Sequence, residues 1–571
     1  MRRAALATFL CAAPMLAAPA HAATLNEQVA LRAALRVEAR ASGRTALQPL
    51  ADAPASATRD LARIGRSDRR VHVLVGLRSR TAATGVRRKL ARLGARTRTF
   101  DSIAVLYADA PSGAALADAL RGDRRVAYVE RDRRLRAAAD PFNAIDPQTG
   151  INFIWAYDAV HAGEAIAAAG GGSQREVAVI DTGLDTGHPD IAPNVGATFD
   201  TLTGTTDVTD RNGHGTFVAG LIAAVPDNNI GGKGVAGNTK LVPIRASFDG
   251  SFSVADVIAG IQLAVRAHAD VVNMSLAGSQ IDATQIRALD AVFLADVLPV
   301  AASGNTGEDG NDRQFPAAAI GGVRGGRGTG LSVAATNPDG SVASFSTHND
   351  RVSLAAPGAS ADCQVGVFST IPRGSASEWD NPPPGTCPSR VFATPTGRFA
   401  YGQGTSFSAP IAAGIASLVW QVQPRLASEQ VADVLRRSAH QTRPGGRWNE
   451  FTGAGIVDGK AATDLARAYD VRNPKARARA RRRGAKKVAV RVSRVKDRTD
   501  PGHELAGHLK YSLLVSRDGG RRFAFAVRPR SHAFTKTVRL RGRRANVLVS
   551  TVCDGNGNCG VKRLGRFKAR R

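Results

Sequence analysis

Short runs of apolar, mostly β-branched residues alternate with alanine-rich stretches through the middle of the chain. Residues 177–180, 241–244 and 271–274 are runs of this kind, and the stretches between such runs have helical spacing. Continuous apolar strands between helices are typical of a parallel sheet that helices cover on both faces. The pattern predicts an α/β unit over residues 140–470.

A second pattern precedes this unit. The predicted order is strand, helix, strand, helix, strand, over residues 71–75, 81–93, 102–107, 112–121 and 126–129. Three strands interleaved with two helices predict a small α+β domain over about residues 71–131.

The end of the chain has a third pattern. Residues 509–515 and 545–550 alternate between apolar and polar positions, and Asp518-Gly519-Gly520 is a turn signal. Short alternating strands joined by turns predict an all-β, sandwich-like domain over residues 488–571. The charge run before it, residues 471–487, predicts a solvated linker.

The N-terminus has the anatomy of a secretory signal peptide. Arg2 and Arg3 precede an apolar run over residues 4–18, and Ala20-His21-Ala22 is a small-x-small cleavage site. A membrane anchor is disfavoured because a spanning helix needs about 20 apolar residues. Residues 1–22 are therefore predicted to be removed, and the mature protein to be secreted.

Charge is distributed unevenly, although the net charge of +29 first suggests a nucleic-acid-binding protein. Residues 475–571 carry 29 Lys and Arg against 5 Asp and Glu, and residues 23–139 carry 24 against 11. The segment 140–474 carries 22 against 32 and is acidic. The basicity lies at the two ends, outside the α/β unit.

Cysteine usage agrees with export. Four cysteines remain after the signal peptide, and by proximity they suggest the disulfides Cys363–Cys387 and Cys553–Cys559. Other pairings stay open.

Three segments contain residues suited to catalysis. Asp181 ends an apolar strand, His214 lies between two glycines before an alanine-rich helix, and Ser406 follows Gly404-Thr405 at the start of an apolar helix. Each has a simpler explanation on its own: a turn acid, a structural histidine and a helix N-cap. Together they resemble the subtilisin family, in which the triad follows the order Asp, His, Ser.

The resemblance covers about residues 140–469 and implies roles. Ser406 would be the nucleophile, His214 the general base and then acid, and Asp181 the group that orients the imidazole. The segment Ala302-Ser303-Gly304-Asn305 resembles the family's oxyanion segment, so Asn305 would supply one oxyanion donor and the Ser406 N–H another. The resemblance implies no cofactor for the chemistry.

Substrate binding in this family uses an extended strand, which Ser275-Leu276-Ala277 resembles, and Gly304 is also expected to bind substrate. Ala277 stands where the family usually has glycine, so a methyl group is expected to narrow the first substrate pocket. Thr306 replaces an acid common in relatives, which weakens the case for a basic-residue preference. A largely apolar pocket and broad specificity are expected.

Two further features follow from the resemblance. Residues 23–139 resemble a propeptide that would inhibit the enzyme and be removed by self-cleavage between about Arg136 and Asn143. Asp190 and Asn228 match one family calcium site, although a complete set of oxygen ligands is not evident. Structural calcium is therefore possible, and surface-turn residues are the alternative.

Two functional classes remain open from the sequence. The first is a secreted serine endopeptidase that acts on protein or peptide substrates. The second is a catalytically silent adhesion module that uses the basic C-terminal domain, which could contact a polyanionic cell surface. Nucleic acid is disfavoured because this domain is predicted to be exported and has few aromatic residues for base stacking.

Overall fold

The computed structural model describes most of the chain from residue 61 onward. The described residues are 61–132, 134–137, 153–170, 174–228, 230–280, 282–325, 328–359, 366–374, 377–380, 391–394, 397–440, 448–495, 509–517, 523–541, 545–554, 556 and 558–569. The predicted signal peptide, Cys363 and Cys387 lie outside them.

The N-terminal unit is a four-stranded antiparallel sheet with two helices. Its elements are β1 (Val71–Leu77), α1 (Ala82–Ala91), β2 (Arg96–Phe100), β3 (Val105–Ala110), α2 (Gly113–Leu120) and β4 (Val126–Arg131). The strand order is β2-β3-β1-β4. The sequence pattern predicted the other elements but not β2, whose Arg-Thr-Arg-Thr sequence lies at the sheet edge and lacks the apolar residues of a central strand.

The central unit is a seven-stranded parallel sheet in the order β14-β13-β12-β10-β6-β8-β7. Its strands are β6 (Glu176–Asp181), β7 (Phe199–Asp200), β8 (Lys240–Arg245), β10 (Val271–Met274), β12 (Leu298–Ala302), β13 (Leu331–Thr336) and β14 (Leu354–Pro357). Two smaller sheets have three strands each. One contains β5 (Arg134–Ala137), β9 (Ser251–Ser253) and β11 (Leu276–Ala277). The other contains β15 (Val367–Ile371), β16 (Val391–Thr394) and β17 (Gly397–Gly402). The predicted α/β fold is confirmed.

Both faces of the parallel sheet are buried. Val177 and Val179 of β6 point into one core, and Ala178 and Ile180 point into the other. The helices of this unit are α3 (Trp155–Ala159), α4 (Ala162–Ala169), α5 (His214–Ala223), α6 (Val254–Arg266), α7 (Ala283–Leu294), α8 (Ala317–Ile320), α9 (Thr405–Val422), α10 (Ser428–Ser438) and α11 (Gly459–Ala468). Within the described ranges, α9 is the helix whose length and apolarity would let it cross a membrane, and it is almost wholly buried inside the protein.

The C-terminal unit consists of two antiparallel sheets, β18-β19-β22 and β21-β20-β23-β24, that share an apolar core. The strands are β18 (Ala478–Arg482), β19 (Lys487–Val492), β20 (Lys510–Ser516), β21 (Ala524–Arg530), β22 (Phe534–Arg539), β23 (Asn546–Cys553) and β24 (Cys559–Phe567). The predicted all-β architecture and the disulfide Cys553–Cys559 are both present.

The linker predicted over residues 471–487 needs a correction. Part of it is strand β18, which pairs with β19 in an antiparallel register. Ala478 lies in the core, whereas Arg479 and Arg481 point into solvent. The alternation of alanine and arginine has the period of two that a half-buried strand requires, so the residues that suggested a linker form the exposed face of a sheet.

Candidate active site

Asp181 is the last residue of β6, at the carboxyl edge of the parallel sheet. Its side chain is almost completely buried, and Oδ1 accepts a hydrogen bond of 2.7 Å from the Thr182 backbone N–H. Catalytic groups of open parallel sheets gather at this edge, because the loops that leave parallel strands converge there. The strand therefore holds the carboxylate rigidly beside the loops that follow it.

His214 is the first residue of α5 and reaches that carboxylate. Its Nδ1 lies 2.8 Å from Asp181 Oδ1, and each side chain is only 1% exposed. A carboxylate can only accept in this contact, so Nδ1 carries the proton and Nε2 is the ring atom available as a base. Gly215 permits the close approach, because a Cβ atom there would come within 2.2 Å of the Gly183 carbonyl oxygen.

A second buried acid, Asp210, holds the histidine loop in place. Its Oδ1 accepts hydrogen bonds from the Gly213 N–H and the Thr182 hydroxyl, and its Oδ2 accepts from Thr216. The Thr182 hydroxyl in turn accepts from the Gly215 N–H. Asp210 thus caps the start of α5 by accepting hydrogen bonds from backbone N–H groups before and after His214. Sequence reasoning missed it, although an acid a few residues before a helix start is a usable capping signal.

Ser406 is the second residue of α9, after Gly404, whose φ of +148° favours glycine. Its hydroxyl donates to the Ser275 carbonyl oxygen at 3.3 Å, and the Ser275 hydroxyl donates back to the Ser406 carbonyl at 2.6 Å. The next residue, Phe407, has its ring centroid 5.6 Å from that of His214. The starts of α5 and α9 therefore meet, which brings the three predicted catalytic residues into one cluster.

Asn305 lies in the loop after β12, also at the carboxyl edge of the sheet. Its Oδ1 accepts from both the backbone N–H and the hydroxyl of Thr405, at 3.1 and 2.8 Å. The Thr405 hydroxyl also accepts from the Gly304 N–H at 3.1 Å. These bonds fix which end of the Asn305 amide faces Thr405, and they tie the amide to the residue that precedes Ser406.

The predicted substrate strand lies next to these groups and is already paired. β11, which contains Leu276 and Ala277, forms one edge of a three-stranded antiparallel sheet, β9 forms the other edge, and β5 is the central strand. In this register Ala277 lies opposite Arg136 and Leu276 lies opposite Ala137. A segment from the predicted propeptide region thus pairs with the strand that is predicted to bind substrate.

Arg373 and residues 377–379 form a wall of the site beside the His214 loop, and the sequence did not predict this contact. The Glu378 N–H donates to the Asn212 carbonyl at 2.8 Å, and the Trp379 ring stacks on the Phe217 ring of α5 with centroids 5.0 Å apart. Ser377 and Arg373 border a cavity of about 460 Å³ behind the histidine loop. These residues lie between β15 and β16, and nothing in their local sequence pairs them with a loop more than 150 residues away.

The two residues proposed for calcium are hydrogen-bonded to each other. Asn228 directs its N–H group to Asp190 Oδ1 at 2.7 Å, and the Gly232 N–H donates to Oδ2 at 2.7 Å. The Asn228 oxygen accepts from the Ile230 N–H instead. Burial raises the pKa of Asp190 above its usual value. Each carboxylate oxygen accepts one hydrogen bond and the Asn228 oxygen is turned to the backbone, so the described residues do not assemble a set of oxygen ligands, and no step of the chemistry is assigned to calcium.

Comparison with known proteins identifies the family. The model of the subtilase family matches residues 172–455. The chain is 32% identical over 347 residues to alkaline elastase YaB of Bacillus sp. (strain YaB), a match that covers 61% of this chain and 76% of that protein. The chain belongs to the subtilase family. It is 31% identical over 294 residues to subtilisin DY of Bacillus licheniformis. That match covers 51% of this chain and 91% of subtilisin DY.

A solved structure agrees on the fold. Fervidolysin from Fervidobacterium pennivorans, described as a keratinolytic enzyme related to subtilisin, superposes with a TM-score of 0.58 at 20% identity. The match covers 88% of this subtilase and 91% of fervidolysin. The chain is a subtilisin-like serine endopeptidase, and the alternative of a catalytically silent adhesion module is wrong. Subtilases act on peptide substrates and need no cofactor for the chemistry.

Proposed function

We propose that this subtilase hydrolyses peptide bonds with Ser406 as nucleophile, His214 as base and Asp181 as the residue that orients the imidazole. The 2.8 Å contact between Asp181 and His214 carries this assignment, because it places the Nδ1 proton and leaves Nε2 to take the Ser406 proton. Rotation of the Ser406 side chain away from Ser275 would direct its hydroxyl to that nitrogen. His214 would then return the proton to the leaving amine.

We further propose that Asn305 and the Ser406 backbone N–H bind the oxyanion of the tetrahedral intermediate. Thr405 engages the oxygen of the Asn305 amide, so the NH2 end of that amide points away from Thr405. The Ser406 N–H lies in the first turn of an 18-residue helix, where backbone donors have no partner within the helix. Both donors are held before substrate binds, so they need no reorganisation during the reaction.

We propose that residues 23–139 are a propeptide, that the enzyme removes it itself, and that the mature subtilase is secreted. Support for self-cleavage comes from β5, which lies between β9 and β11 in the substrate position. Support for secretion comes from the Cys553–Cys559 disulfide, because such bonds persist in oxidising compartments. The signal peptide prediction lies outside the described residues.

The register of β5 predicts which bond is cut. Residues 136 and 137 lie opposite Ala277 and Leu276, and the same register extended by one residue along each strand would put Ser275 opposite the residue whose carbonyl is attacked. The carbonyl oxygen of Ser275 is 3.3 Å from the Ser406 hydroxyl. The bond between Ala138 and Ala139, outside the described residues, is therefore the expected scissile bond.

N-terminal sequencing of the purified mature protein tests this proposal. We expect the mature chain to begin at Ala139, and Ser406→Ala to leave the propeptide attached. A mature chain that begins at the same residue in the Ser406→Ala variant would contradict self-cleavage, because another protease would then make the cut. Ser408→Ala serves as control, since that side chain donates to Pro357 and not to the active site.

Ala277→Gly is expected to let the enzyme accept larger side chains in the residue before the scissile bond. Ala277 lies in β11 and pairs with the strand that takes the substrate position, so its methyl group is next to the bound peptide. Removal of a methyl group changes discrimination between apolar side chains by roughly 10-fold. The measurement is the ratio of kcat/KM for peptides with Phe and with Ala before the scissile bond. An unchanged ratio would show that Ala277 does not limit the pocket.

Docking of the proposed propeptide depends on a buried acid. The carboxylate of Glu130 in β4 accepts from the Thr284 N–H at the start of α7, and the Thr284 hydroxyl donates to Tyr128. Asp282 lies at the same helix start, and Arg287 lies over the Tyr128 ring. Burial, and then the negative charge of Asp282, raise the pKa of Glu130 to about 7. Docking therefore favours the protonated acid.

Propeptide retention is expected to weaken as pH rises. Since the pKa of Glu130 rises from 4.5 to about 7 on docking, docking takes up a proton and is strongest below about pH 4.5. The fraction of cleaved propeptide that co-elutes with the enzyme should fall between about pH 4.5 and pH 7, and Glu130→Gln should flatten this dependence. Asp132→Asn, which alters the acid that accepts from the Ala255 N–H, is the matched control. Equal pH dependence in wild type and Glu130→Gln would contradict the assignment.

A further inference from the structure

The sheet β18-β19-β22 has one apolar face and one strongly charged face. Ala478, Val488 and Val490 point into the core of the C-terminal unit. Because side chains alternate along a strand, the residues between them point outward. The outward positions include six basic side chains, which we call the cationic face: Arg479, Arg481, Arg483, Lys487, Arg491 and Arg539.

The register places these cations next to each other. Arg479 lies directly opposite Arg491, and Lys487 lies directly opposite Arg539. The Arg483 N–H donates to the Lys487 carbonyl, so this pair is also adjacent. Like charges directly opposite one another in an antiparallel sheet are destabilising. The arrangement therefore weakens the isolated sheet and does not contribute to its folding.

Within the part of the chain that the structure describes, no acid neutralises the cationic face. All six side chains are exposed, and none of them forms an ion pair with a described residue. Among the described residues of the C-terminal unit (471–569), the acid is Asp554, which is buried and accepts hydrogen bonds from the Asn556 and Asn558 N–H groups. The other outward positions are the small or uncharged residues Ala489, Thr535 and Thr537. The charges are therefore available to an external anion.

We propose that the cationic face is a binding site for a linear anionic glycan. Successive outward residues on one strand are about 6.6–6.8 Å apart, and neighbouring strands are about 4.8 Å apart. A chain with a carboxylate or sulfate on each repeat can therefore contact several of the cations at once. Arginine, which supplies five of the six cations, forms paired hydrogen bonds with such planar or tetrahedral anions. The site would hold the peptidase on an anionic surface.

Other polyanions fit the face less well. Single-stranded nucleic acid is bound with aromatic side chains on which bases stack, and the face has none. Duplex DNA is read by an element that enters a groove, whereas this face is the flat side of a sheet. Association with a bilayer uses apolar side chains beside the cations, and here the sole apolar outward residue is Ala489. A flexible glycan requires none of these features.

Binding of the full-length Ser406→Ala protein to immobilised heparin and polygalacturonate, with neutral dextran as reference, tests the proposal. The face variant is Arg479→Thr, Arg481→Thr and Arg491→Thr together. The matched control is Arg494→Thr, Lys562→Thr and Lys568→Thr, three exposed cations of the same unit outside the face. Both variants lose the same charge, and threonine suits exposed strand positions.

The face variant is expected to bind at least about 10-fold more weakly. The slope of its log affinity against log salt concentration should also be shallower, by the equivalent of about three released counterions. The control should lose less than about threefold. The face variant should unfold at the same or a higher temperature than wild type, because like-charge pairs are removed. Equal losses in both variants would overturn the proposal, since net charge alone would then explain binding. Absence of glycan binding by the wild type would also overturn it, as would stronger binding to duplex DNA or to phosphatidylserine vesicles.

Discussion

Ser406→Ala is expected to lower kcat by about 10⁶-fold, the loss that removal of the serine causes in subtilisin. Without the hydroxyl no acyl-enzyme can form, whereas the oxyanion donors and the binding strand remain. A residual rate of about 10³–10⁴-fold over the uncatalysed reaction should therefore persist. The measurement is hydrolysis of a peptide amide by variant protein whose propeptide has been removed by an added protease.

A matched substitution separates chemistry from packing. Ser408 lies two residues further along α9, is fully buried, and donates to the Pro357 carbonyl. Ser408→Ala removes the same atom from the same helix, so its activity should stay within about 10-fold of wild type. A Ser408→Ala enzyme as inactive as Ser406→Ala would show that the helix tolerates no loss of a hydroxyl, and the assignment of Ser406 would fail.

Asn305→Ala has the second largest expected effect, a loss of about 10²–10³ in kcat, as for the equivalent donor of subtilisin. The reason is that the donor acts on charge that develops only in the transition state, so KM should change little. The Thr405 hydroxyl, which donates to Asn305 Oδ1, should then be left with fewer partners. Steady-state kinetics on one peptide substrate give both parameters.

Asn238→Ala is the control for this substitution. Asn238 donates to Gln421 Oε1 at 2.9 Å, away from the catalytic cluster, and its loss should leave kcat unchanged. If Asn305→Ala raised KM and left kcat intact, Asn305 would bind the ground state, and the oxyanion role would be contradicted.

The grouping of the proposed catalytic residues at one edge of the sheet was predictable, because each lies in a characteristic local sequence. Asp181, His214 and Ser406 lie far apart along the chain, yet each ends a strand or starts a helix, and parallel strands bring such positions to one edge. The apolar runs that formed β6, β8 and β10 were equally clear, because both faces of the central sheet are buried.

The features that the sequence did not predict depend on partners remote in the chain. β2 and β18 are edge strands made of arginine with threonine or alanine, so their signal is alternation and not hydrophobicity. The wall formed by Ser377 and Trp379 depends on contacts with a distant loop. At Asp190 the sequence shows an acid suited to calcium, but only the fold shows that amide donors occupy its oxygens. Local pattern gives the type of an element, whereas tertiary contacts decide its surroundings.

The central claim is that Ser406 is a nucleophile activated by His214 and Asp181. The most direct test is reaction of the self-processed enzyme with a fluorophosphonate, followed by mass spectrometry of the labelled peptide. The label should lie on Ser406 and be lost in the Asp181→Asn variant, in which the imidazole tautomer is no longer fixed. Label on another serine, or undiminished labelling of Ser406 in Asp181→Asn, would contradict the account.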